Sequence, residues 1–119
     1  MAKDSARKPL SHRDFLILFA LLDGERHGYV LMKDVEEQSE GMVRIDPANL
    51  YRSVRRMLER GLLEESDRRP APEADDERRR YYRITDSGRN AVAEEAARLS
   101  RLAEAARAKK LIPGSEGAR

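Results

Sequence analysis

The sequence predicts a mainly α chain with one small β-hairpin, and three observations carry that prediction. Apolar residues recur at helical spacing in four separate stretches. The period changes to that of a strand only after Gly61, over Leu62–Glu65 and Arg79–Thr85. The last helical stretch runs from about Thr85 to Lys110 and keeps a heptad-like apolar seam.

Each element has a local reason. Residues 1–10 are polar and aperiodic, and read as a disordered tail. Ser11 is placed to cap a helix carrying Phe15–Leu22, apolar nearly all round and therefore expected at the centre of the domain. Asp23-Gly24 stops it. A second helix starts at Gly28 and ends near Gly41, with Val30, Leu31, Met32 and Val35 facing inward. The link Met42–Ile45 is short enough for a helix-turn-helix, and Ile45 is placed to add a short strand.

The third helix is the most informative segment. Asp46 can cap its free N–H groups, Pro47 suits the first helical position, and Gly61 suits the position past its end. Leu50, Val54, Met57 and Leu58 form an apolar stripe, with Asn49, Arg52, Ser53, Arg56 and Arg60 expected opposite. One side fits a core. The other fits a polyanion that also offers hydrogen-bonding edges, as DNA does.

Leu62–Glu65 and Arg79–Thr85 make a hairpin, with Tyr82 and Ile84 alternating inward. The intervening Arg69–Glu77 is too polar and Pro-rich to be ordered. Thr85 or Asp86 then caps the long helix, whose seam is Val92, Ala96, Leu99, Ala103 and Ala106, widened by Leu102. That stripe needs burial, and a partner subunit is its simplest cover; a solvated arm is the alternative. The organisation is thus a winged helix-turn-helix over 11–85, a C-terminal dimerisation helix over 86–111 and a disordered tail over 112–119.

Composition excludes several functions. The chain has 119 residues, 39% of them charged, against about 25% in an average globular protein. The net charge of +2 says little alone, whereas the clustering of arginines says more. Without Cys there is no disulfide, thiol nucleophile or cysteine-ligated zinc. His12 and His27 are the only histidines and lack a carboxylate cluster at metal-ligand spacing. No apolar run reaches the roughly 18 residues of a membrane span, and no secretory signal is visible. A cytoplasmic, non-enzymatic protein with no cofactor, no metal and no membrane association is expected.

Taken together, several stretches resemble one family. They are Ile17-Leu18 through Leu22, His27-Gly28-Tyr29, Pro47-Ala48-Asn49-Leu50-Tyr51-Arg52, Leu62-Leu63 after Gly61, and Arg80–Thr85 with Gly88-Arg89. In this order and spacing the chain, over about residues 13–107, is similar to the PadR-like transcriptional regulators, in their short branch with a single C-terminal helix. The resemblance implies a dimeric repressor whose third helix enters the major groove, whose wing approaches the DNA backbone or minor groove, and whose C-terminal helices form the dimer. It also implies a small-molecule effector bound near the dimer interface. Asp46–Asn49 departs from the Ser-Pro-Gly-Thr-like residues of the family ahead of Leu-Tyr, so no base preference follows. The absence of Trp means that no aromatic drug-stacking arrangement follows either.

The expected DNA-binding residues are then Asn49, Arg52, Ser53 and Arg56 toward the bases, with Tyr51 and Arg55 flanking. Tyr51 either meets phosphate or packs on the edge of the core. Arg78, Arg79, Arg80 and Arg83 make the second wing strand basic, with Arg68 and Arg69 on the first. They either neutralise phosphates or pair with the acids Glu73, Asp75, Asp76 and Glu77 at the tip. For His27, a packing or helix-start role outweighs pH sensing. The expected function is a DNA-binding repressor acting as a homodimer on a palindromic operator. A protein-docking winged helix without sequence-specific DNA binding is the alternative.

Overall fold

The structure, a computed structural model, describes residues 8–66 and 80–114. Its elements are α1 (His12–Leu21), β1 (Arg26–His27), α2 (Gly28–Gln38), α3 (Pro47–Glu59), β2 (Leu63–Glu65), β3 (Tyr81–Ile84) and α4 (Asp86–Ala108). The mostly helical winged fold expected from the sequence is the fold observed.

α1, α3 and α4 begin where a side chain provides an acceptor for their unpaired N–H groups. Ser11 Oγ accepts from Asp14 N–H at 3.0 Å, Asp46 Oδ1 from Asn49 N–H at 2.8 Å, and Thr85 Oγ1 from Gly88 N–H at 3.0 Å. α3 ends in a Schellman turn: Leu62 N–H donates to Met57 O at 3.0 Å and Gly61 N–H to Leu58 O at 3.1 Å. Gly61 sits at φ +73°, which a residue with a Cβ adopts only at a cost.

α1 lies at the centre, with Phe15–Leu18, Ala20 and Leu21 buried; only Phe19 in this run is partly open. Leu31 and Val35 of α2, Leu50, Val54 and Met57 of α3, Leu63, Tyr82, Ile84 and Val92 complete the core. Leu10 is also buried at 6% exposure, so the segment read as a tail contributes an apolar anchor at its end.

The sheet differs from the expected two-stranded hairpin. It is three-stranded and antiparallel in the order β1-β3-β2. Leu63 pairs with Ile84, and Glu64 with Arg83. Arg26 pairs with Tyr82, and His27 with Tyr81. The additional strand is thus Arg26–His27, while Ile45 is buried in the link between α2 and α3 without joining the sheet. A two-residue strand has no period to read. It exists because β3 offers a free edge to the chain just ahead of α2.

α3 and α4 meet at a close joint. Thr85 N–H donates to Leu62 O at 3.1 Å, and Thr85 Oγ1 donates to Gly61 O at 2.6 Å. A Cβ added at Gly88 would overlap the Leu62 carbonyl oxygen, so glycine is required there for α4 to approach. Among the described residues, no helix is long and apolar enough to cross a membrane.

Candidate nucleic-acid interface

α3 turns one face to the core and another to solvent. Leu50, Tyr51, Ser53, Val54 and Met57 are buried, whereas Arg52, Arg55 and Arg56 are exposed and Asn49 is half-buried. Two members of the expected DNA-facing set are therefore misplaced. Ser53 is only 1% exposed, because it lies three residues after Leu50 and four before Met57, within the apolar stripe. Tyr51 is buried, in line with packing on the core rather than reaching a phosphate. Leu58, assigned to the stripe, lies at its edge and is 37% exposed.

Arg56 is held from beneath. Its Nη2 donates to both carboxylate oxygens of Asp14 in α1, each at 3.0 Å, and to Ser53 Oγ at 3.3 Å. The Asp14 side chain is only 4% exposed, against 46% for Arg56. A buried carboxylate must be paired, so this contact fixes the Arg56 side chain to the scaffold.

Arg52 is held from the side. Asp46 Oδ2 accepts from Asn49 Nδ2 at 3.0 Å, and Asn49 Oδ1 accepts from Arg52 Nη1 at 2.6 Å. Asp46, Asn49 and Arg52 recur at i, i+3 and i+6, so they form one row along the exposed side of the first two turns. Sequence reasoning used Asp46 only as a cap and missed Asp14 as a partner of Arg56. The i, i+3 spacing of Asp46 and Asn49 could have revealed the row. No local signal could have revealed Asp14, 42 positions from Arg56.

The described part of the wing is internally paired. Arg83 Nε donates to Glu64 Oε2 at 2.6 Å across the strands, and Arg83 Nη1 lies 3.6 Å from Glu25. Arg80 Nε lies 3.7 Å from Glu65, and Ser66 Oγ donates to Glu25 at 2.7 Å. Arg83 thus contributes to the sheet's own ion pairs, and Arg80 stays half-exposed. Arg68, Arg69, Arg78, Arg79 and the acidic tip lie outside the described residues.

Along α4 the expected dimerisation residues divide into two groups. Val92 is buried in the core of the chain itself, so it is not available to a partner. Leu99 and Ala103 are half-buried, as is Ala106, whereas Ala96 is exposed and Leu102 is 54% exposed. Beneath this seam Arg98 donates through Nε and Nη2 to buried Glu95, at 3.0 and 2.6 Å. That hydrogen bond holds the Glu95 carboxyl below the usual carboxylate range; the charges of Arg98 and His12 act in the same direction, and burial opposes them. A cleft of about 160 Å³ lies alongside, lined in part by Lys8, Leu10, Ala91, Glu95 and Arg98.

Comparison with solved structures agrees with the fold. A PadR family transcription regulator from hypervirulent Clostridium difficile R20291 is 22% identical, with 82% of this chain and 96% of that chain covered at a TM-score of 0.68. A transcriptional regulator from Clostridium thermocellum is also 22% identical, covering 81% and 87% at a TM-score of 0.67. Bacillus subtilis PadR, solved in complex with operator DNA, is 19% identical and covers 72% and 47% at a TM-score of 0.61. The family model for the PadR-like transcriptional regulators matches residues 17–94, which takes in the second half of the central helix, the helix-turn-helix, the sheet and the first turns of α4. With that span matched, the chain belongs to the PadR-like family of transcriptional regulators.

Proposed function

We propose that this regulator is a cytoplasmic DNA-binding repressor that acts as a homodimer on a palindromic operator. The observation that carries the reading is the outer side of α3, where half-buried Asn49 and exposed Arg52 and Arg55 stand opposite the buried Leu50, Val54 and Met57. Such a helix can enter a major groove with its N-terminal turns against base edges. The likeness in fold to a protein solved with operator DNA supports the same reading.

A dimer would use the open part of α4, from Ala96 through Leu99, Leu102, Ala103 and Ala106. Its small residues permit close helix approach, and two-fold symmetry then requires two half-sites about one helical turn apart, or a multiple. Release by a small-molecule effector belongs to the same proposal. The cleft beside Glu95, at about 160 Å³, is below the roughly 300–1,000 Å³ of drug-sized sites, so such a molecule would need walls from both protomers.

The test is a fluorescence-anisotropy titration of the full chain against DNA from its own promoter region at several salt concentrations. Specific, sub-micromolar binding whose affinity falls steeply with salt is expected. Weak binding with little salt dependence would replace this proposal with the protein-docking reading.

A further inference from the structure

We propose that Asn49 and Asp46 are orienting residues and that Arg52 is the side chain of α3 that reads a guanine. This rests on the DNA-binding reading above and sharpens it to one contact. By residue type alone, Asn49 is an adenine reader, since Asn can pair bidentately with adenine N6 and N7. In the structure both ends of its amide are engaged. Nδ2 donates to Asp46 at 3.0 Å and Oδ1 accepts from Arg52 at 2.6 Å. The Asp46 carboxylate also accepts the Asn49 backbone N–H, so Asn49 is tied to Asp46 through both its backbone and its side chain.

The effect reaches Arg52. A guanidinium carries five N–H donors in a planar fork, and the bond to Asn49 takes one of them. The remaining donors suffice for the O6 and N7 acceptors of guanine. A long side chain already held in place loses less rotamer freedom on docking, so the row makes the contact more selective. Arg56 cannot substitute, because turning it toward a base would leave Asp14 buried and uncompensated. Arg52 combines exposure, a lateral support and a place in the early turns of the helix.

The experiment is selection of bound duplexes from a random pool with the full chain, followed by anisotropy titrations on single-pair variants of the selected site. Wild type, Arg52→Ala, Asn49→Ala and Asp46→Ser are compared, each first checked for native helicity and melting. Asp46→Ser keeps an oxygen to cap the helix and removes the one that holds the Asn49 amide. Arg52→Ala should erase the preference for one G·C pair in each half-site, a loss of about tenfold to a hundredfold. Asn49→Ala and Asp46→Ser should weaken the preference at that same pair several-fold and leave other pairs unchanged. If Asn49→Ala instead abolishes an adenine preference elsewhere and spares the guanine, the orienting role is overturned while DNA reading stands. Unchanged preferences in all three variants overturn it as well. If wild type selects no motif, the DNA-binding reading itself fails, and this assignment with it.

Discussion

Arg52 and Arg56 stand about one turn apart on α3, yet their surroundings set them to opposite tasks. Arg56 reaches inward to a carboxylate that is 4% exposed and contributed by another helix. Arg52 reaches along its own helix to Asn49, on the solvent side. The first is anchored by a contact that cannot be given up cheaply, and the second by one that water can replace. Residue type and charge are the same in both. Only the burial of the partner separates a scaffold arginine from one free to meet a ligand.

That contrast can be tested in descending order of effect. Met57 lies on the inner side of the same helix at 0% exposure, so Met57→Ala should cost about 2–5 kcal/mol in urea denaturation. A cost below about 1 kcal/mol would mean that the scaffold side is loosely packed. Arg56→Ala bares the Asp14 carboxylate; since Arg56 is nearly half exposed, a loss of about 1–3 kcal/mol is expected. Adding Asp14→Leu should restore part of that loss, and a double-mutant cycle with zero coupling would remove Arg56 from the scaffold. Arg52→Ala should leave stability within about 0.5 kcal/mol of wild type, because its only described partner is an exposed amide.

The pair Glu95–Arg98 extends the comparison to acid pH. The Glu95 pKa is lowered in the folded state, so the folded protein binds its proton less readily than the unfolded chain does. The pair therefore contributes stability above the ordinary carboxylate pKa, and that contribution is lost as the pH falls through the lower, folded value. Thermal melts from neutral to strongly acidic pH should show a smaller drop for Glu95→Gln than for wild type. Identical acid profiles would show that the pair does not couple to folding.

What the sequence disclosed follows the range of the interactions involved. The three helix starts at Ser11, Asp46 and Thr85 were legible because a cap and its N–H lie three residues apart. Tyr82 and Ile84 were placed inward because alternation is local to a strand. β1 was missed because its only definition is pairing with Tyr81 and Tyr82, far along the chain. Asp14 was missed as the partner of Arg56 because it lies 42 positions away. Glu95 reads as an ordinary solvated position on a charged helix, yet it is 7% exposed. Pattern finds faces; it does not find the partner that pulls a charged side chain across the boundary between them.

The joint at Thr85 also has a mechanical meaning. One side chain accepts the N-terminal amide of α4 and donates to the carbonyl just past α3, and Gly88 leaves no slack beside it. Thr85 is in this way a fulcrum, and α4 is its arm. With 23 residues at about 1.5 Å each, that arm is about 34 Å long. A tilt of about 10° about that joint would move its outer end by about 6 Å. Whatever grips the far end of α4 therefore has leverage over the angle at which α3 is presented.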